Sequence, residues 1–192
     1  MIARAARALR AARAFVQDRR AVGAIEFAMT APFLILLYLG GYQLMDAISA
    51  YRKTSMTVRT MADVTTQFTS MQAADVDNVM AAATSVMTPY AASNAVTRVS
   101  EIWINPGTQP KVKWSRSKGG QPLKNSDLNN LILFPNGVVP AALRVPDTYL
   151  VFAEISYSYT PIAGGKLIGP ITFKDQLFMN PRRSNDIPCS DC

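Results

Sequence analysis

The stretch "RRAVGAIEFAMTAPFLILLYLGGYQLMD", residues 19–46, decides how the rest of the chain is read. From 27 to 45 it runs for 19 residues without a charged side chain. At a rise of about 1.5 Å per residue, that length crosses a hydrocarbon core roughly 30 Å thick. Phe33, Leu34, Ile35, Leu36, Leu37, Tyr38 and Leu39 are apolar on every side of the helix they predict. A core helix of a soluble domain would instead show one polar face. Pro32 near the start and the Gly40-Gly41 pair past the middle are better tolerated in membrane helices than in soluble ones. Small residues there also admit a close helix neighbour.

The flanks give a direction. Residues 1–20 carry Arg4, Arg7, Arg10, Arg13, Arg19 and Arg20 against the single acid Asp18, whereas Asp46 opens the far side. The excess of arginine predicts a cytoplasmic N-terminus, with everything after Asp46 across the membrane. The start "MIARAARALRAARAF" has the composition of a mitochondrial transit peptide, but a spanning helix follows it directly. A secretory signal peptide is set aside too, because the apolar run is too long and no A-x-A site follows it.

Composition excludes much chemistry. The chain has 192 residues, a formal charge of +7 and no histidine. Without histidine there is no Ser-His-Asp or Cys-His pair, and most zinc, copper and haem sites go as well. Most of the positive charge sits in the N-terminal block, and no basic stripe interleaved with aromatics follows, so no nucleic-acid partner is expected. Cys189 and Cys192 are the only cysteines. Lacking a second ligand pair or a βαβ scaffold, they read as a disulfide of an oxidising compartment or as two idle thiols, not as a metal site. No cofactor is expected, and no enzymatic activity.

Glu26, at the mouth of the apolar run, is either idle, snorkelling to the boundary or protonated, or has a partner and a purpose. A carboxylate in the low-dielectric boundary zone is costly alone and directional when paired with a cation. If a peptidase cut a few residues upstream, the new α-amine of a neighbouring copy would supply that cation. This is the logic of assembly, not catalysis.

"AVGAIEFAMTAPFLILLYLG" resembles the N-terminal segment of TadE-like minor pseudopilins of the Tad (Flp, tight-adherence) type IV pilus system. The matching features are the basic leader, Glu26-Phe27, Pro32 and Leu39-Gly40. "MTPY" at 87–90, a Tyr-rich strand ending in Tyr-Thr-Pro and an "NPRRS" tail extend the likeness more loosely. The resemblance implies a leader removed by a prepilin peptidase, leaving Glu26 fifth in the mature chain. That places the cut between Ala21 and Val22, where the family usually has glycine before the bond. Cleavage between Gly23 and Ala24 would leave Glu26 third, and an uncleaved chain is the remaining alternative. Gln43 stands where many relatives carry an acid. The implied partners are other Tad pilins and pseudopilins, the prepilin peptidase, the inner-membrane assembly platform and membrane lipid. The implied location is the bacterial inner membrane, single-pass, with a periplasmic head. The alternative is an uncleaved, membrane-anchored periplasmic binding or structural protein.

The expected organisation is a leader over 1–21, a transmembrane helix over 22–46, an amphipathic helical region over 47–90 and a β-rich head over 91–192. In the helical region Ile48, Tyr51, Ser55, Val58, Met61, Val64, Phe68 and Met71 recur at helical spacing and predict the buried stripe. A second helix starts near Asp75 or Asp77, either able to cap it, and ends before Pro89. Strands are predicted over 98–104 and 111–115 around the Asn105-Pro106-Gly107 turn. Residues 117–146 read as loop around the short "LILF" at 131–134. "TYLVFAEISYSY" is the strongest strand, with Tyr149, Val151, Ala153, Ile155, Tyr157 and Tyr159 on one face and Pro161 as its stop. Residues 171–178 pair with it across the Gly164-Gly165 turn. The fold class is therefore α+β, a long N-terminal helix with a small antiparallel β-rich head, the lollipop outline of pilins.

Several motifs imitate active sites. Ser115-Arg116-Ser117-Lys118 fits S-x-x-K but lacks the companion elements and sits in an expected loop. "AGGKLIG" lacks P-loop spacing. Glu101 and Glu154 read as exposed strand-face charges, and Trp103 and Trp114 as core.

Overall fold

The computed structural model describes residues 20–129, 138–162 and 169–192, with side chains from Val22 onward. The leader as far as residue 19, the "LILF" run, the Gly164-Gly165 turn and most of "AGGKLIG" lie outside the described residues. The fold is α+β: a long apolar N-terminal helix, a second helix and a four-stranded antiparallel sheet. The chain divides into two compact units between Met45 and Asp46.

The first unit is the apolar part of helix α1, which spans Arg20–Thr65 and contains Pro32. Over 22–45 no side chain is buried; Phe27, Phe33, Leu36 and Tyr38 are each about two-thirds exposed or more. Apolar area left facing outward on every side has to be covered by lipid or by other helices. The helix is long and apolar enough to cross a membrane.

The second unit, Asp46–Cys192, holds the rest. Strands β1 (Ala95–Ile104), β2 (Pro110–Lys118), β3 (Thr148–Tyr159) and β4 (Ile171–Met179) form one sheet in the order β2-β1-β3-β4. The β1–β2 hairpin turns where Asn105 Oδ1 accepts the Gln109 amide at 2.8 Å, and Thr108 takes the left-handed φ of 60°. β1 and β3 are the central pair, in register from Ala95↔Tyr157 to Ile104↔Thr148. β4 pairs with β3 from Ile171↔Tyr159 to Met179↔Val151.

Alternation then assigns each face its core. Val151, Ala153, Ile155, Tyr157 and Tyr159 of β3, with Val99 of β1, join Ala50, Val58 and Met61 of α1. Val76, Met80 and Ala83 of helix α2 (Ala73–Thr84) complete that core. The opposite face has a second, smaller one: Ile102, Ile104, Leu150 and Phe152 lie under Leu123, Leu128, Val138 and Val139. The segment read as loop thus lids half of the sheet.

Two local expectations are corrected. The buried stripe of α1 is Ala50, Thr54, Thr57, Val58, Met61, Ala62 and Thr65, whereas Ile48 and Tyr51 are exposed. The threonines bury because each hydroxyl donates to a carbonyl of its own helix: Thr54 to Ala50 at 2.9 Å, Thr57 to Lys53 at 2.9 Å and Thr65 to Met61 at 2.7 Å. What they then present to their surroundings is a β-branched apolar surface. In α2 the N-cap is Gln72, and Asp75 sits three residues on, its carboxylate accepting the Gln72 amide at 2.9 Å. Asp75 therefore acts as the acidic half of a capping box and not as the cap. The helix gives way to a 3-10 turn at Ser85–Met87, before Pro89.

Candidate functional site

Glu26 is exposed, in the second turn of α1. At about 3.6 residues per turn, Glu26, Thr30, Phe33, Leu37, Gly40 and Leu44 share one face. The Thr30 hydroxyl donates to the Glu26 carbonyl at 2.9 Å, which spends that polar group inside its own helix. Among the described residues the ion pairs are Arg98–Glu154, Arg116–Asp77 and Arg182–Asp63, so none takes up the Glu26 carboxylate. A Cβ added at Gly40 or Gly41 would meet nothing within 4 Å, so the backbone there is open to close approach. Phe27 projects outward beside Glu26, and Pro32 lies one and a half turns on. Because Pro32 has no amide hydrogen, the Ala28 carbonyl loses its helical donor.

The bonds Ala21–Val22 and Gly23–Ala24 both fall in the first turn or so of α1. Val22 stands one turn before Glu26 and on its side of the helix.

Asp46, the first residue of the second unit, was read from sequence only as a flanking charge. Its Oδ1 accepts the Tyr90 hydroxyl at 2.8 Å and its Oδ2 accepts that of Tyr159 at 2.5 Å. Tyr90 rests edge-on against Tyr157 and Tyr159, and Phe173 stacks on Tyr159 at 5.7 Å. Burial raises the Tyr90 and Tyr157 hydroxyls above the ordinary tyrosine range, which keeps them protonated donors. The signal in the sequence was available: an acid at the end of the apolar run and a tyrosine-alternating strand.

Glu101 is not an exposed strand-face charge. It is fully buried on the helix-covered face of β1, where Oε1 accepts the Ile187 amide at 2.6 Å. Burial pushes its pKa up to about 7, against the pull of that amide hydrogen bond. Glu154 points to the opposite face and pairs with Arg98 at 2.6 Å, so the two acids do not meet. Trp114 is core, its indole donating to the Ile187 carbonyl at 2.7 Å. Trp103 is not: it is only partly buried, stacked on Tyr149 at 6.4 Å, with Lys113 Nζ 5.8 Å from its ring.

The S-x-x-K segment lies on β2, not in a loop. Ser115 and Lys118 are three apart on a strand and point to opposite faces. The Ser115 hydroxyl is held by Ser100 at 2.8 Å and by the Leu123 amide at 2.7 Å, so no nucleophile–base pair exists there. Cys189 and Cys192 are joined in a disulfide. Asp191, between them, accepts the Ala73 amide at 2.6 Å at the start of α2.

An open groove of about 690 Å³ lies beside Tyr149, with Asp147 and Leu143 on one side and Asn180, Ser184 and Asp186 on the other. No family model, curated protein or solved structure matches the chain.

Proposed function

We propose that this protein is a minor pseudopilin of the Tad type, a structural subunit with no catalytic role. It is inserted by α1 with the arginine-rich end in the cytoplasm and the Asp46–Cys192 unit in the periplasm, trimmed by a prepilin peptidase and packed against other pilins. The observation that carries this reading is Glu26. It is a carboxylate on an apolar helical segment with no buried side chain, without a cation among the described residues, on the face that carries open Gly40.

A carboxylate in that setting selects a partner with a positive charge at the same depth. The α-amine freed at Val22 of a neighbouring copy meets that need, and Gly40-Gly41 lets the neighbour's backbone come close. The arginine excess on the leader sets the orientation.

The test is the intact mass and N-terminal residue of the membrane-bound protein, with and without its prepilin peptidase. A peptidase-dependent start at Val22 is the expected result. A start at Ala24 keeps the pathway and breaks the fifth-residue register. A chain that begins at Met1 under both conditions overturns the pseudopilin reading and leaves a single-pass anchored domain.

A further inference from the structure

Residues 180–192 cross the helix-covered side of the second unit without forming a regular strand. Their attachments reach the end of α1, the Met71 region, α2, β1 and β2. Arg182 donates its amide to Thr66, just past α1, at 2.9 Å and pairs with Asp63 in the last turn of that helix at 2.8 Å. Ile187 is fully buried, its amide on Glu101 of β1 and its carbonyl on the Trp114 indole of β2. Pro188 accepts the Met71 amide at 3.0 Å, and Cys189 forms an isolated parallel bridge with Met71. Asp191 then caps α2 through Ala73, and the disulfide closes the end.

The weak point of this arrangement is chemical. Of all the groups gripping the segment, Glu101 is the one whose charge changes near neutrality. It is fully enclosed, with no cation in contact, and its Oε2 has no hydrogen-bond partner among the described residues. The charged groups that act on it are Asp186 from the segment itself, which opposes its ionisation, and Lys113 from β2, which favours it only slightly. Tyr149 of β3 also senses it, and stays protonated. Burial outweighs what favours the anion here, the Ile187 amide and the Trp114 indole, so the carboxyl is tolerated as the neutral acid and disfavoured as the anion.

We infer that residues 180–192 form a pH-responsive strap, closed over the sheet while Glu101 is protonated and loosened when it ionises. Opening admits water to the carboxylate, so the open form binds its proton less tightly than the closed one. The closed population therefore falls as pH rises from the ordinary glutamate range to about 7, the value burial imposes, and levels off above it. Asn180, Ser184 and Asp186 belong both to the strap and to one wall of the 690 Å³ groove, so loosening the strap remodels that groove.

The experiment is amide hydrogen exchange of the full-length chain in detergent, resolved by mass spectrometry, between pH 4.5 and 8.5 and corrected for intrinsic exchange. Exchange in the peptide covering 180–192 should accelerate by up to about tenfold per pH unit until about pH 7 and then plateau. Amides in the middle of β1 and β3 should stay far better protected than the strap at every pH. Glu101→Gln keeps an acceptor for the Ile187 amide and cannot ionise, so its strap should stay protected at every pH. Wild-type strap protection that ignores pH, an equal slope in E101Q, or strap amides that exchange no faster than the middle of β1 and β3 at every pH would each overturn the strap.

Discussion

One helix, α1, lives in two physical regimes. Before Met45 it carries phenylalanine, leucine and isoleucine, and none of these side chains is buried. After Asp46 it carries threonine, alanine, valine and methionine, and Thr54, Thr57, Val58, Met61 and Thr65 are enclosed. The most apolar part of the chain contributes nothing to the chain's own core, while a threonine-rich stripe does. Hydrophobicity therefore predicts which surface must leave water, but not what covers it. In the first regime none of the described residues buries these side chains, and lipid or another helix is the cover that such a surface takes. In the second it is the sheet, which rewards close backbone approach and filled volume.

The sharpest break of that comparison is a matched pair of truncations. Met61→Ala removes a fully enclosed side chain from the main core and should cost about 2–5 kcal/mol of unfolding free energy for the second unit. Leu36→Ala, in the exposed segment, should leave the same unfolding transition within about 0.5 kcal/mol. Denaturant titration in detergent, followed by near-ultraviolet circular dichroism, reads both. If Leu36→Ala costs as much as Met61→Ala, the first segment packs on the second unit and the two regimes collapse into one.

Glu101 gives the next largest effect. The folded chain holds its proton to about pH 7, and the unfolded chain releases it in the ordinary range near 4.5. Between those values the folded state binds more protons, so stability is highest on the acid side and falls as pH rises. The loss is on the order of 3 kcal/mol by pH 7 and stops there. In Glu101→Gln that slope should vanish. Urea midpoints at pH 5, 6, 7 and 8 check the sign, and a wild-type midpoint that rises over this range excludes a raised pKa.

Asp46 marks the changeover, and Asp46→Asn tests whether its charge matters there. The amide keeps an acceptor for one tyrosine hydroxyl but presents an N–H to the other, so one charge-assisted bond is lost and the second weakened. The expected cost is about 1–2 kcal/mol in the same denaturation assay. Tyr159→Phe should recover part of that loss in the Asn background, because the mismatched hydroxyl is then gone. Additive costs in the double mutant would mean that the two side chains do not act through each other.

Sequence was most informative where one physical rule dominated. β3 is read to the residue, Thr148 to Tyr159, because strict alternation on a buried face and Pro161 after it leave no other solution. The span of apolar helix is equally legible from length and charge alone. β1 begins at Ala95, three residues before the predicted start, since Ala-Val-Thr has weak alternation of its own. Its pairing with β3 joins residues some fifty positions apart, which no local pattern encodes. Glu101 escaped because a lone acid on a strand is ordinarily solvated. In the fold the returning Ile187 meets it, and the polar "NPRRSND" that precedes Ile187 gives no sign of a strap. Glu26 is the reverse case: what singles it out is the contrast between one charge and its apolar surroundings, which is a property of sequence.

The smallest effect probes the rule behind the displaced stripe. If Thr54 is buried because its hydroxyl is spent on the Ala50 carbonyl, then its surroundings meet only its methyl group. Thr54→Val keeps the branched shape and removes the hydroxyl, while the Ala50 carbonyl keeps its helical amide donor. No buried polar group is orphaned, so the change in stability should stay below about 1 kcal/mol. Thr54→Asn has a similar polar content but cannot fold its amide back so compactly, and it should cost more than Thr54→Val by at least about 1 kcal/mol. If the order is reversed, the pocket around Thr54 prefers a polar contact to a methyl group. The threonine stripe would then be selected for hydrogen bonding rather than for shape, and the two halves of α1 would differ in polarity rather than in what covers them.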